Sequence, residues 1–222
     1  MNKIVKKEEI LDHINDGDMI LVGGFLNCGG PVQMITYILD NKDLKDVTIV
    51  ANDTGFDDKP GVSEFVTRGV ASKVIASHVG TNRETGRKMH SGEMEVELVP
   101  QGTLVERIRA GGYGLGGVLT PTGLGLPEVE KGKEVVELNG QKWLYEKPII
   151  GDVALIKANV ADKYGNLAFH GSTRNYNIAS CFSGRTVIVQ ADKIVETGEI
   201  GPERVEIPGA LVDYIVATED FE

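Results

Sequence analysis

The stretch Gly23-Gly24-Phe25-Leu26-Asn27-Cys28-Gly29-Gly30-Pro31 follows directly on an unbroken apolar run, Met19 to Val22. Glycines between a buried strand and a helix start leave backbone N–H groups uncovered by side chains, and such groups stabilise a phosphate or a thioester oxygen. The same glycines also suit a tight bend that needs positive φ and no ligand. Spacing alone leaves both readings standing. A dinucleotide fingerprint is excluded: G-x-G-x-x-G with an acidic residue about 20 positions later does not match, and Asp40 and Asp43 do not supply it.

Two amides stand where ligands collect. Gln101, in Pro100-Gln101-Gly102, separates a strand pattern from a helix pattern, which puts its side chain at a strand's carboxyl end, the edge at which open sheets bind small molecules. Helix capping is its alternative role. Asn52 ends the strand pattern Val47 to Ala51, with turn formation in Asn52-Asp53-Thr54-Gly55 as the competing explanation.

Other chemically capable residues carry less. Glu93, Glu95 and Glu97 alternate with Met94, Val96 and Leu98, so they share one strand face, as an acidic pair or as a solvated surface. Glu64, in Ser63-Glu64-Phe65, falls in an amphipathic helix pattern and reads as a surface residue. His13, His78, His90 and His170 never stand at metal-ligand spacing, so no metal site is expected. Cys28 and Cys181 are too few for a disulfide framework and are expected as free thiols. Cys28, at a helix N-terminus, would have a lowered pKa, but no base accompanies it.

The elements that must position these residues follow from periodicity. Ile10, Leu11 and Ile14 give helical spacing over Lys6 to Asn15, and Asp16-Gly17 turns the chain into the strand Met19 to Val22. Pro31 stands as a first helical residue ahead of Val32, Ile35, Ile38 and Leu39. Strand Val47 to Ala51, helix Val62 to Arg68, strands Lys73 to Ser77 and Met94 to Val99, and helix Thr103 to Ala110 continue an alternation that predicts a mostly parallel sheet. Seven glycines and two prolines in Gly111 to Pro127 predict an irregular segment. Asn139-Gly140, between Glu134–Leu138 and Lys142–Tyr145, predicts a hairpin excursion. Val153 to Ala158, Thr186 to Gln190 and Tyr214 to Ala217 are further strands, with no linker or repeat.

Composition sets the outer bounds. At 222 residues, 41% hydrophobic and 25% charged, the chain fits one α/β domain over residues 1–222. A formal net charge of -10 with scattered Lys and Arg excludes a nucleic-acid surface. No apolar run reaches the roughly 18 residues that span a bilayer, and Met1 to Glu9 is too polar for a signal peptide, so a cytoplasmic protein without a membrane role is expected.

The stretch DGDMILVGGFLNCGGP, Asp16 to Pro31, resembles the first signature of family I coenzyme A transferases position by position. The resemblance extends to TIVANDTGF at Thr48 to Phe56, to Ile75 through Gly112, and to LTPTGLG at Leu119 to Gly125, and it is to the α subunit. Acetate or butyrate:acetoacetate enzymes are the most similar, and the first half of 3-oxoacid transferase is similar at greater distance.

This resemblance implies a Rossmann-like, mostly parallel open sheet of the coenzyme A transferase type with a small β excursion. It implies transfer of coenzyme A between a short-chain acyl-CoA and acetoacetate, acetate or butyrate through a glutamyl-CoA thioester. The nucleophilic glutamate is expected on a β subunit, within Ser-Glu-x-Gly, in an α2β2 assembly. For this chain it implies a coenzyme A loop made of Gly23, Gly24, Phe25, Leu26, Asn27, Cys28 and Gly29. Gln101 would stabilise the oxyanion and Asn52 would position the acyl substrate, with coenzyme A as substrate and no permanently bound cofactor. Two alternatives remain on the residues alone: a noncatalytic phosphate or sugar-phosphate binding module, and a sugar-phosphate isomerase, for which no acid–base pair is visible.

Overall fold

The computed structural model describes residues 2–221; Met1 and Glu222 lie outside the described residues. The strands and helices follow in chain order: β1 (Met19–Val22), α1 (Val32–Asn41), β2 (Val47–Asp53), α2 (Ser63–Thr67), β3 (Ala71–His78), α3 (Arg83–Ser91), β4 (Glu95–Leu98) and α4 (Gln101–Gly112). Then come β5 (Val118–Thr120), α5 (Pro127–Glu130), β6 (Glu134–Leu138), β7 (Gln141–Glu146), β8 (Gly151–Asp162), β9 (Leu167–Ala168), α6 (Asn175–Ser183), β10 (Gly184–Val195) and β11 (Tyr214–Ala217).

The main sheet runs β11-β10-β8-β1-β2-β3-β4, all parallel, with β9 added antiparallel to β8. The chain moves outward from β1 to β4 and then returns to the other side of β1 as β8. The order therefore reverses at β1, and an open parallel sheet leaves a crevice beyond its strands' carboxyl ends at that point.

Both faces are covered, which is why the strands read as continuous apolar runs rather than alternating ones. Ile20, Ile49 and Val74 face Ile35, Ile38 and Phe65 of α1 and α2. Leu21, Val50 and Ile75 face Leu104 and Ile108 of α4 and Tyr176 and Ala179 of α6.

Strands β5, β7 and β6 form a separate antiparallel sheet, the expected excursion. Its turn residues Asn139 and Gly140 have φ of 53° and 76°, as a type I′ turn requires. The irregular segment after α4 includes one short strand of this sheet, β5. The excursion is tied down by Arg107, whose Nε donates to the Lys147 carbonyl at 2.9 Å and whose guanidinium pairs with Glu97 at 2.6 Å.

Three differences from the sequence expectation have physical causes. The helical spacing at Lys6 to Asn15 yields only a 3-10 turn, Glu9–His13, with Ile10 its single buried residue. Helix α3 was not anticipated because it buries one residue, Thr85, and has no apolar stripe. Its caps define it instead: Asn82 accepts from the Thr85 N–H at 2.9 Å, and Gly92 closes it with φ 75°. Helix α6 opens on Asn175, in polar sequence without a start signal the periodicity could reveal.

Candidate functional site

The glycine stretch leaves the carboxyl end of β1 at the switch point. Gly23 continues the pairing by donating to the Leu155 carbonyl of β8 at 3.0 Å. Phe25 and Cys28 then exchange hydrogen bonds at 3.0 and 2.9 Å, a two-residue hairpin whose central Leu26 and Asn27 adopt φ of 48° and 65°. Left-handed backbone at a leucine costs on the order of 1 kcal/mol, so the surroundings must impose it.

The expectation of an open row of N–H groups at a helix start is corrected by this geometry. Gly24 donates to Asn175 Oδ1 at 3.1 Å, Leu26 to Asp53 Oδ2 at 2.9 Å, and Gly30 to the Asn27 carbonyl at 3.4 Å. Helix α1 begins at Val32, with Pro31 as its cap. The Val32 N–H is taken by the Gly30 carbonyl at 2.9 Å, and the Met34 N–H by the buried Gln190 Oε1 at 3.0 Å. Within the loop, only Asn27 and Gly29 keep N–H groups with no acceptor among the described residues. The cavity beneath the loop holds only about 10 Å³, the space of one water, while Phe25 and Leu26 are 43% and 38% exposed.

The carboxyl ends of β2, β3 and β4 bring the two candidate amides toward one another. Asn52 is buried; its Nδ2 donates to Asp53 at 2.7 Å, and its Oδ1 and carbonyl accept from Ser77 at 3.1 and 2.8 Å. The turn after β2 belongs to Asp53, which accepts from the Gly55 N–H at 2.8 Å. Gln101 opens α4 and is exposed; its side chain makes neither a cap nor any other hydrogen bond among the described residues. Capping is thus removed as its role.

Tyr176, which sequence reasoning missed, reaches the backbone at the start of α4. Its hydroxyl donates to the Gln101 backbone carbonyl at 3.2 Å. Burial raises the phenol above its usual range, with Ser77 opposing and the Asp53 charge adding to the rise, so it stays a neutral donor at physiological pH. Only chain folding over 75 residues of separation brings it there.

Other expectations resolve by contact. Glu64 is not a surface residue: it is 9% exposed and accepts from the Gly61 N–H at 2.9 Å, the Thr36 hydroxyl at 2.5 Å and Arg68 at 2.5 Å. Glu95 and Glu97 form a solvated strand face, pairing with Lys73 at 2.7 Å and Arg107 at 2.6 Å, while Glu93 lies before β4 and pairs with Arg87 at 2.6 Å. The Arg87 guanidinium, with help from Ser91, holds the Glu93 carboxyl down at about 2. Cys28 is exposed and lies in the hairpin rather than at a helix N-terminus, its Sγ 3.0 Å from the Ser172 hydroxyl. Cys181 is buried, which pushes its thiol well up. His78 ends β3 and is exposed.

A sequence profile of the family described as Coenzyme A transferase matches residues 6–218. The chain is 45% identical over 218 residues to the acetate CoA-transferase subunit alpha of Escherichia coli strain K12, covering 98% of each chain. It is also 45% identical over 215 residues to the acetoacetyl-CoA:acetate/butyrate CoA transferase alpha subunit of Clostridium acetobutylicum, covering 97% of each. Glutaconate coenzyme A-transferase from Acidaminococcus fermentans superposes with a TM-score of 0.83 at 22% identity, over 97% of this chain and 75% of that one. An acyl-CoA transferase from Escherichia coli O157:H7 gives the same TM-score and identity, over 97% of this chain and 47% of that one, about half its length. At that identity the structural likenesses speak for the fold.

Proposed function

The chain belongs to the coenzyme A transferase family, and on that premise we propose that it is the α subunit of a heteromeric enzyme moving coenzyme A between a short-chain acyl-CoA and acetoacetate, acetate or butyrate. The observation that carries this reading is 45% identity, over nearly the whole of each chain, to two alpha subunits named for such transfers. A noncatalytic phosphate-binding module finds no support beside it.

In this reading the nucleophile is a glutamate of a β subunit. Its carboxylate attacks the acyl-CoA carbonyl and expels the coenzyme A thiolate, which then attacks the resulting anhydride to leave glutamyl-CoA and a free carboxylate. Splitting one difficult transfer into covalent steps lowers each barrier. Within this chain Glu64 is unsuited to that role, since its carboxylate already accepts three hydrogen bonds.

This chain's part is to shape the site. The hairpin, with its exposed apolar Phe25 and Leu26 and the N–H groups of Asn27 and Gly29 left without acceptors, seats coenzyme A as a substrate. The unengaged amide of Gln101 donates to the developing oxyanion. Asn52 acts one step removed, by fixing Asp53 beneath the hairpin.

We further propose an α2β2 assembly working in the cytoplasm, with one domain in this chain. Among the described residues, no helix is long and apolar enough to cross a membrane.

The test is reconstitution. This chain alone should show no transferase activity, and activity should appear on mixing with its β subunit. Borohydride reduction of the acyl-CoA-treated complex should modify the β subunit; modification of this chain, or full activity without a partner, would sink the proposal.

A further inference from the structure

The strained hairpin is held by more than its own hydrogen bonds. From the sheet side it is held by Leu26 N–H to Asp53 at 2.9 Å and by Asn27 Nδ2 to the Pro60 carbonyl at 3.1 Å. From the other side it meets the start of α6, where two asparagines face it. Asn175 spans both rims of the hairpin with a single amide: its Oδ1 accepts from the Gly24 N–H at 3.1 Å, and its Nδ2 donates to the Cys28 carbonyl at 2.9 Å and the Ser172 carbonyl at 2.6 Å. Asn177 holds the next carbonyl, that of Gly29, at 2.8 Å and anchors itself to the Lys157 N–H and the Thr173 carbonyl at 3.0 and 2.8 Å.

The geometry points to Asn175 as a positioning residue for acyl-CoA, acting through the glycine hairpin; this rests on the reading of the hairpin as the coenzyme A seat. Gly24 and Cys28 bracket the turn that carries Phe25, Leu26 and Asn27. A planar amide bonded to both keeps the rims at one spacing, and so keeps the outer face preformed rather than ordered at the moment of binding. Preorganisation of this kind shows in affinity for the ligand that the loop contacts and not in the chemistry of groups elsewhere.

Asn175→Asp tests this with nearly the same shape. The carboxylate retains the acceptor for Gly24 but turns the donating end into an acceptor facing two carbonyl oxygens. Asn175→Ala removes both ends without adding charge. Each would be combined with the β subunit and assayed with acetyl-CoA and acetoacetate, and amide exchange over residues 23–30 of the complex would be followed by mass spectrometry.

The expected result is faster exchange in that segment, a KM for acetyl-CoA raised about tenfold or more, and kcat and the KM for acetoacetate within about twofold to threefold of the parent. Unchanged exchange with unchanged kinetics overturns the inference. Faster exchange with unchanged kinetics overturns the reading of the hairpin as the coenzyme A seat, and the inference with it. A fall in kcat with unchanged exchange also overturns the inference, because Asn175 would then act on the substrate directly.

Discussion

Gln101 and Glu64 both sit beside strand ends or helix starts, yet one side chain is unengaged and the other fully committed, so they predict opposite phenotypes. Gln101→Ala removes a donor that stabilises nothing in the fold. Turnover of the assembled enzyme should fall about tenfold or more, the scale of one oxyanion donor, with little change in melting temperature. Unchanged kcat removes Gln101 from the mechanism. Glu64→Ala strands the Gly61 N–H and the Thr36 hydroxyl and leaves Arg68 with Asp40 alone. We expect a stability loss of about 2–3 kcal/mol in urea unfolding, the cost of leaving two inward-facing donors without an acceptor. Activity per folded molecule should be retained. Sequence could propose Gln101 because its position at a strand-to-helix junction is local. It misplaced Glu64 because the Thr36 hydroxyl that caps its carboxylate comes from α1, 28 positions away.

At the scale of elements, the glycine stretch depends on α6. A β-carbon on Gly23 would stand 1.7 Å from Asn177 Oδ1, a side chain that is itself buried and bonded to the loop and to β8. Gly23→Ala must displace α6 or the hairpin, and overpacking of this kind costs about 1–3 kcal/mol. Its activity should fall more than its stability accounts for. Gly86, inside α3, meets nothing within 4 Å of an added β-carbon. Gly86→Ala should therefore stabilise by about 0.5–1 kcal/mol, the helix propensity difference alone. Thermal melts of the two variants would separate a glycine required by packing from one that merely occurs. The glycines were legible as a loop, but the reason for Gly23 was not, because Asn177 lies 154 positions away in the chain.

At the scale of the whole molecule, the second sheet is docked through charge. Arg107, buried on α4, lies 3.8 Å from Glu146 and 2.6 Å from Glu97, and Glu146, 1% exposed, is shared with Lys133 at 2.6 Å. Removing one member of such a network costs about 3–5 kcal/mol when it leaves a buried charge short of partners. Arg107→Ala should loosen residues 118–146 in hydrogen exchange while β1, β2 and β8 stay protected. Equal loss of protection across both sheets would show that the excursion has no independence.

The sequence by itself determined the main strands, the parallel sheet, the hairpin at Asn139-Gly140 and the family, because each is written in neighbouring residues: apolar runs, turn residues and an uninterrupted motif. Tertiary structure alone decided what the glycine stretch can do. Its N–H groups looked open in sequence; folding brings Leu155, Asp53 and Asn175 onto them from β8, β2 and α6. Hydrogen-bond partners this far apart in the chain leave no local periodicity. The loop is therefore a braced hairpin that offers its outer face, and the brace exists only once the sheet has formed.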